Sequence, residues 1–284
     1  NKGTTVYNSR LKHIASQYID VIYESVNLSP FFWNKISNKY NFENLKFDCI
    51  IDTQKAVLRT IALKRIGNKM FISNSASGFF SSKKLRNKEK FRRYYLEDLF
   101  DLLDLIKPGE NKDYFKFDIP LKLKNCLSNL FEKNKKYIGY APGAGEKNKI
   151  WNISNYIKVI KYFENKNFKS VFFLGPDDIE LKKKIKQEFP NGFFPEDLIT
   201  DFSGPEVVMG CTQYLNVALS NDSGVSHMLS TNYCSLIKLF GPKNSLKFTP
   251  NISKIKTLSS EKYNSDDINL IPVFEVINLI EKEL

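Results

Sequence analysis

Apolar positions along the chain follow two rhythms. In the first half, short apolar or alternating runs at 4–7, 21–23, 48–52 and 70–72 predict β-strands. Helical spacing at 31–40, 54–66 and 91–106 predicts helices between and after them, with Leu96, Leu99, Leu103 and Ile106 on one face of the last. The cluster Lys107-Pro108-Gly109 breaks the pattern, and 121–136 predicts a further helix with a polar, Lys- and Asn-rich end.

The second half is more regular. Strands are predicted at 137–141, 171–174, 214–219, 235–240 and 254–258. Helices follow at about 154–163, from Asp178 to about Phe189, at 225–231 and at 273–284. Strands alternating with helices imply βαβ units and parallel sheets. The expectation is two α/β domains, 1–133 and 134–284.

Ligands in such sheets bind beyond the carboxyl ends of strands, so the loops after strands carry the candidate chemistry. Pro142-Gly143-Ala144-Gly145-Glu146-Lys147-Asn148-Lys149 joins a strand to a helix, as a phosphate cradle does. It is neither a Walker loop nor GxGxxG, and a lysine-rich surface turn fits the same letters equally well. Trp151 reads as a core anchor. In Gly175-Pro176-Asp177-Asp178-Ile179-Glu180, Gly-Pro makes a turn and an Asp caps the helix. Glu180 in its first turn suits the helix dipole, and a carboxylate accepting ribose hydroxyls is the sharper alternative.

The third loop is Ser220-Asn221-Asp222-Ser223-Gly224-Val225-Ser226-His227. Free N–H groups of a helix starting near Gly224, with the Ser223 hydroxyl, form an anion site. Asp222 is expected to fix the turn by accepting backbone N–H groups, since a carboxylate repels phosphate. His227, one turn on, is expected to line the same pocket. A Ser–His–Asp triad is rejected: Asp222, Ser223 and His227 are too close in sequence for a relay, and no GxSxG elbow is present.

Composition narrows the classes. The 284 residues are 42% hydrophobic and 26% charged, enough apolar surface for ordinary cores. No apolar run approaches the ~20 residues that span a bilayer. Cys49, Cys126, Cys211 and Cys234 are scattered without CxxC, which reads as free thiols in a reducing compartment. With His13 and His227 as the two histidines, a histidine-rich metal centre is excluded. Lys+Arg 43 against Asp+Glu 31 gives +12, which suggests an anionic partner: nucleic acid, a phosphorylated small molecule or an anionic membrane surface. An AT-rich genome would also enrich the chain in Lys and Asn.

Asn221-Asp222-Ser223-Gly224-Val225-Ser226-His227, followed by Leu239-Phe240-Gly241-Pro242, resembles the signature of glycosyltransferase family nine, the lipopolysaccharide heptosyltransferases: D-[ST]-G-x-x-H, a helix, a strand, then F/Y-G-P. Pro142, Gly143, Lys149 and Trp151 match the family's P-G-x-x-x-x-K-x-W. The segment Phe47-Asp48-Cys49-Ile50-Ile51-Asp52-Thr53-Gln54 is similar to its Y-D-hydrophobic-hydrophobic-D-x-Q, with Arg59-Thr60 as the basic-plus-hydroxyl pair.

The resemblance implies a GT-B fold, two Rossmann-like domains facing a cleft, with 1–133 on the acceptor side and 134–284 binding the nucleotide sugar. It implies that Lys149 holds the donor diphosphate, with Gly143, Ala144 and Gly145 beside it. Asp222, Ser223, Gly224 and His227 would complete the donor pocket, Glu180 would contact the ribose, and Asp52, Gln54 and Arg59 would lie on the acceptor side. It implies an inverting transfer of heptose or a related sugar from ADP-heptose to a lipid A–core hydroxyl, with no metal and no cofactor. The enzyme would be cytoplasmic, in peripheral contact with the anionic inner face of the membrane.

Two departures stand out. The family's opening strand and R-x-x-x-x-G-D loop, whose Asp is the proposed general base, has no counterpart here, and the chain lacks an initiator Met. The N-terminal domain is therefore expected to lack its first strand, with the catalytic base upstream of residue 1. In addition, Lys55 stands where a glycine usually follows D-x-Q. Two other readings stay open: a GT-B relative that binds nucleotide sugar without transferring it, and a basic module for nucleic acid or anionic surfaces. No RNP, helix-turn-helix or zinc signature supports the last, and no specific nucleic acid partner is expected.

Overall fold

The computed structural model describes residues 3–7, 9–24, 26–84, 95–109, 117–231, 233–250 and 252–284. Two units form: Asn1–Ser9 with Ile19–Asp113, and Arg10–Tyr18 with Tyr114–Leu284.

In the first unit β1 (Gly3–Tyr7) leads through α1 (Lys12–Ala15), which packs with the second unit, to β2 (Ile19–Glu24). β3 (Lys46–Asp52) connects through α2 (Val57–Lys64) to β4 (Gly67–Ser73), and α3 (Tyr95–Asp104) follows. β1 pairs with β2 and β3 with β4, both in parallel. Asp52 at the end of β3 lies opposite Ser73. A small core of Ile36, Phe42 and Ile66 packs with Tyr23, Phe47, Ile50 and Leu63.

The expected helix over 31–40 is not formed. The Arg65 guanidinium instead takes the carbonyls of Ser29 and Asn34, both at 2.6 Å, and Glu43 accepts the Ile36 N–H at 2.8 Å. Groups that a helix would pair internally are thus claimed from outside. The helix expected over 54–66 starts only at Val57, because Asp52 accepts the Gln54 N–H at 3.0 Å and holds that residue in a turn. Residues 91–94 of the expected 91–106 helix lie outside the described residues.

The second unit begins with α4 (Leu121–Ser128), β5 (Lys136–Ala141), α5 (Ile153–Glu164), β6 (Phe168–Phe172) and α6 (Ile179–Glu188). Then come α7 (Pro195–Leu198), α8 (Gly204–Cys211), β7 (Val217–Asn221), α9 (Gly224–Leu229) and β8 (Ser235–Phe240). α10 (Ser245–Phe248), β9 (Ile255–Ser259) and α11 (Val273–Glu283) complete it. Its five-stranded parallel sheet has the order β6-β5-β7-β8-β9. Helices cover both faces, so the central strands are buried throughout. Along β7, Val217 and Leu219 meet the α5 and α11 side, while Ala218 meets the α4 and α8 side.

The division between units differs from the expected 133/134. Leu123 and Leu127 of α4 share the second unit's core with Ile14 and Val207. A Cβ on Gly210 of α8 would come within 2.7 Å of Leu127, so these helices pack at close quarters. The segment Arg10–Tyr18 is held by buried Glu206, which accepts the backbone N–H groups of His13 (2.7 Å) and Ile14 (3.3 Å). The predicted helix over 121–136 ends at Ser128, since Phe131 turns in to stack on Tyr214. Two strands are displaced by a few residues from their predicted positions, to Phe168–Phe172 and Val217–Asn221. Helices α1, α7, α8 and α10 lie outside the predicted set.

Candidate functional site

The order β6-β5-β7-β8-β9 reverses direction between β5 and β7, and a doubly wound sheet opens a crevice at that point. The loops leaving β5 and β7 both reach it. Asn221, the last residue of β7 and fully buried, ties them together. Its Oδ1 accepts the Trp151 N–H (3.3 Å) and the Tyr156 hydroxyl (3.1 Å), and its Nδ2 donates to the Pro142 carbonyl at 2.7 Å. Trp151 is buried, with its indole N–H on the Ile271 carbonyl at 3.1 Å. The loop after β5 is thus pinned at both ends.

Above this point lies a cavity of about 300 Å³ lined by Gly145, Lys149, Asp222, Ser223, Gly224, His227, Lys243 and Phe248. The structure therefore brings together Gly145, Lys149, Asp222, Ser223, Gly224 and His227 from the sequence-based set. A side chain on Gly145 or Gly224 would meet nothing within 4 Å, so both keep backbone open to the cavity.

Charge in the cavity is layered. Lys149 Nζ sits 2.8 Å from Glu146 Oε1 and 3.8 Å from Asp222 Oδ2. Lys238 Nζ approaches the other Asp222 oxygen at 3.6 Å, and Lys243 Nζ lies 3.8 Å from Glu146 Oε2. Hydrogen bonding from Lys149 holds the Glu146 carboxyl below its ordinary range. The expectation that Asp222 accepts backbone N–H groups of its turn is corrected: its carboxylate faces two ammonium groups instead.

Ser223 is the N-cap of α9, and its hydroxyl accepts the Ser226 N–H at 3.4 Å while Ser226 Oγ accepts the Ser223 N–H at 3.3 Å. The hydroxyl expected to bind an anion therefore also caps the helix. Burial pushes the His227 imidazole below its usual range, Lys238 and Lys149 push it the same way, and Asp222 opposes them. His227 is thus a neutral wall residue at pH 7.

Three expected residues stand apart. Gly143 does not line the cavity; a Cβ there would fall 2.2 Å from Asp178 Oδ2, so it is glycine to admit that carboxylate. Asp178 occupies the α6 N-cap position, yet its carboxylate turns back to accept the Gly175 N–H at 2.9 Å instead of capping. Ala144 follows Gly143 outside the lining, and Glu180 is exposed in the first turn of α6, also outside it.

Within the first unit, Asp52, Gln54 and Arg59 share the wall of a separate cavity of about 650 Å³. Asp52 is buried and accepts the Thr60 hydroxyl (2.6 Å), the Ser73 hydroxyl (2.9 Å) and the Gln54 N–H. Its carboxylate is spent on joining β3, α2 and β4. Gln54 Oε1 accepts from Arg59 at 3.3 Å, and these two exposed side chains are the ones that reach outward.

Sequence reading missed Asn221, Lys238, Lys243 and Phe248 as site residues. Asn221 was legible as the strand's last polar residue; Lys238 was masked by the chain's general wealth of lysine.

Comparisons with known proteins bear on the same residues. The family model described as glycosyltransferase family 9 (heptosyltransferase) matches residues 40–270. Comparison with curated protein sequences gives no match. A glycosyltransferase family 9 structure from Veillonella parvula superposes with a TM-score of 0.76 at 17% identity, covering 99% of this chain and 87% of that one. E. coli heptosyltransferase WaaC with ADP gives 0.73 at 15% identity, covering 100% and 90%. The same enzyme with ADP-2-deoxy-2-fluoro heptose gives 0.71 at 15%, with the same coverage.

Proposed function

The chain belongs to glycosyltransferase family 9 and is a glycosyltransferase of GT-B fold; on that premise we propose that it transfers a heptose or related sugar from ADP-heptose to a hydroxyl of a lipopolysaccharide core, with inversion and without a metal. The observation that carries this reading is the cation-lined cavity at the β5/β7 crossover, where Lys149 and the start of α9 meet. WaaC was solved with ADP and with an ADP-heptose analogue, which supports a nucleotide-sugar donor.

In this mechanism a general base takes the acceptor hydroxyl's proton, and the acceptor oxygen forms a bond to the anomeric carbon as the bond from that carbon to the diphosphate breaks, the electron pair leaving on the diphosphate. Negative charge grows on the departing diphosphate. Lys149 and Lys243 are placed to take up that charge, and the open backbone at Gly145 and Gly224 lets phosphate oxygens come close. His227, neutral, offers a ring N–H from the same wall without adding charge. Ala144 and Gly143 shape the loop beneath, and Gln54 and Arg59 serve the acceptor side, with Asp52 holding the Gln54 backbone and Gln54 in turn accepting from Arg59. The ribose contact proposed for Glu180 rests on the family resemblance alone, since Glu180 is exposed at the start of α6 and outside the cavity lining.

The same proposal includes peripheral contact with an anionic membrane. In the first unit Phe32 and Trp33 are 84% and 68% exposed, Phe31 stacks on Trp33, and Lys35 and Lys39 follow, also exposed. Aromatic rings beside lysines suit the headgroup region of an anionic bilayer. No helix of the described residues is long and apolar enough to cross a membrane.

The test is a transfer assay with ADP-heptose and, in parallel, other nucleoside-diphosphate sugars, on a heptose-deficient lipopolysaccharide core. Release of ADP with a β-to-α or α-to-β change at the new linkage supports the reading. Turnover with another nucleotide sugar alone would refute the donor assignment.

A further inference from the structure

Lys238 lies in the middle of β8, paired with Ser220 of β7 on one side and Thr257 of β9 on the other. Its side chain is 0% exposed, while its neighbours Ile237 and Leu239 pack into the opposite layer. An ammonium buried among strands is costly unless paired. Here it has three partners: the Phe248 carbonyl at 3.2 Å, the Phe240 ring at 5.0 Å and Asp222 Oδ1 at 3.6 Å. Phe248 and Asp222 both line the donor cavity, but Lys238 does not.

Asp222 therefore sits between two cations, with Lys149 on Oδ2 and Lys238 on Oδ1. Without Lys238, the carboxylate would have Lys149 as its nearest cation and would repel an incoming diphosphate. We propose that Lys238 is a positioning residue whose buried ammonium neutralises Asp222, so that Lys149, whose nearest carboxylate is Glu146 at 2.8 Å, is not also held by Asp222 when the donor diphosphate arrives. This rests on the functional reading above and assigns Lys238 a role in that same site. Burial lowers the Lys238 ammonium's proton affinity, and Asp222 restores part of it. Removing one partner of this buried pair leaves the other uncompensated.

The test uses three chains: wild type, Lys238→Met and Lys238→Met/Asp222→Asn. Two readouts are taken, ADP affinity by calorimetry and the ligand-free titration of His227 by NMR. The groups facing His227 are Lys238, Lys149 and Asp222, with Lys243 on the same cavity wall. With only His13 and His227 in the chain, the signal is assigned by one further variant, His13→Gln. Lys238→Met is expected to weaken ADP binding about tenfold or more, a loss of about 1.4 kcal/mol or more, and to raise the His227 pKa. The double variant removes both charges together, so it is expected to fold even if the single variant does not, and to recover ADP affinity to within about threefold, about 0.7 kcal/mol, of wild type. Unchanged His227 titration and ADP affinity in folded Lys238→Met would overturn the proposal, as would a double variant that binds ADP no better than the single one. The titration needs no ligand, so a wild-type chain that fails to bind ADP counts against the functional reading, and the His227 shift still decides the role of Lys238.

Discussion

Asn221 Oδ1 accepts the backbone N–H of Trp151 at 3.3 Å, joining the end of β7 to the end of the loop after β5. The same side chain holds the start of that loop through the Pro142 carbonyl. One buried amide thus fixes both ends of the segment that carries Lys149, without lining the cavity itself.

Replacing Asn221 by Ala should therefore cost stability and donor binding together. Three groups lose a partner inside the protein: the Trp151 N–H, the Tyr156 hydroxyl and the Pro142 carbonyl. The expected loss is about 2–4 kcal/mol, measured by urea denaturation. ADP binding in the folded fraction should weaken as well, because Lys149 is no longer held over the crossover.

Glu196 gives a pH-dependent prediction. Burial pushes its carboxyl up to about 7, opposed in part by the Leu174 N–H that it accepts at 3.2 Å. The folded state therefore keeps a proton that the unfolded chain releases near pH 4.5. Stability from this group is full below that pH and is lost as pH rises through about 7. Glu196→Gln, which mimics the neutral form and keeps the acceptor oxygen, should stabilise the protein by roughly 1–3 kcal/mol at pH 8. At pH 4.5 it should do little. Urea midpoints at the two pH values check the difference.

Phe32→Ser/Trp33→Ser tests the proposed membrane contact of the exposed aromatic loop. Sedimentation with vesicles containing phosphatidylglycerol should fall about tenfold relative to wild type. Both side chains are exposed, so urea stability should be unchanged. Equal sedimentation of variant and wild type would remove this loop from the account.

These sites differ in how far the sequence revealed them. The loops after β5 and β7 were legible because strands 136–141 and 217–221 carry apolar residues that small or polar residues then follow abruptly. Helix α8 was not, because Val207, Val208, Met209 and Cys211 are all buried and leave no polar face to set a helical rhythm. The segment 31–40 has helical spacing, but Arg65 and Glu43, distant in sequence or outside the window, claim its backbone. Apolar spacing there marked an exposed aromatic loop, not a packed face. Asp222 was expected to serve its own turn, since the cation behind it comes from another strand and no local pattern announces a lysine in a sheet interior.

The central claim is that the cavity holding Lys149 takes the donor diphosphate. The most direct measurement is calorimetric titration of ADP into the wild-type chain and into Lys149→Met. The account predicts saturable binding to wild type and a loss of about 2.7–4 kcal/mol, or roughly 10²–10³ in affinity, for the variant, by analogy with removing one preorganised donor. ADP binding of equal strength in the two chains would contradict it.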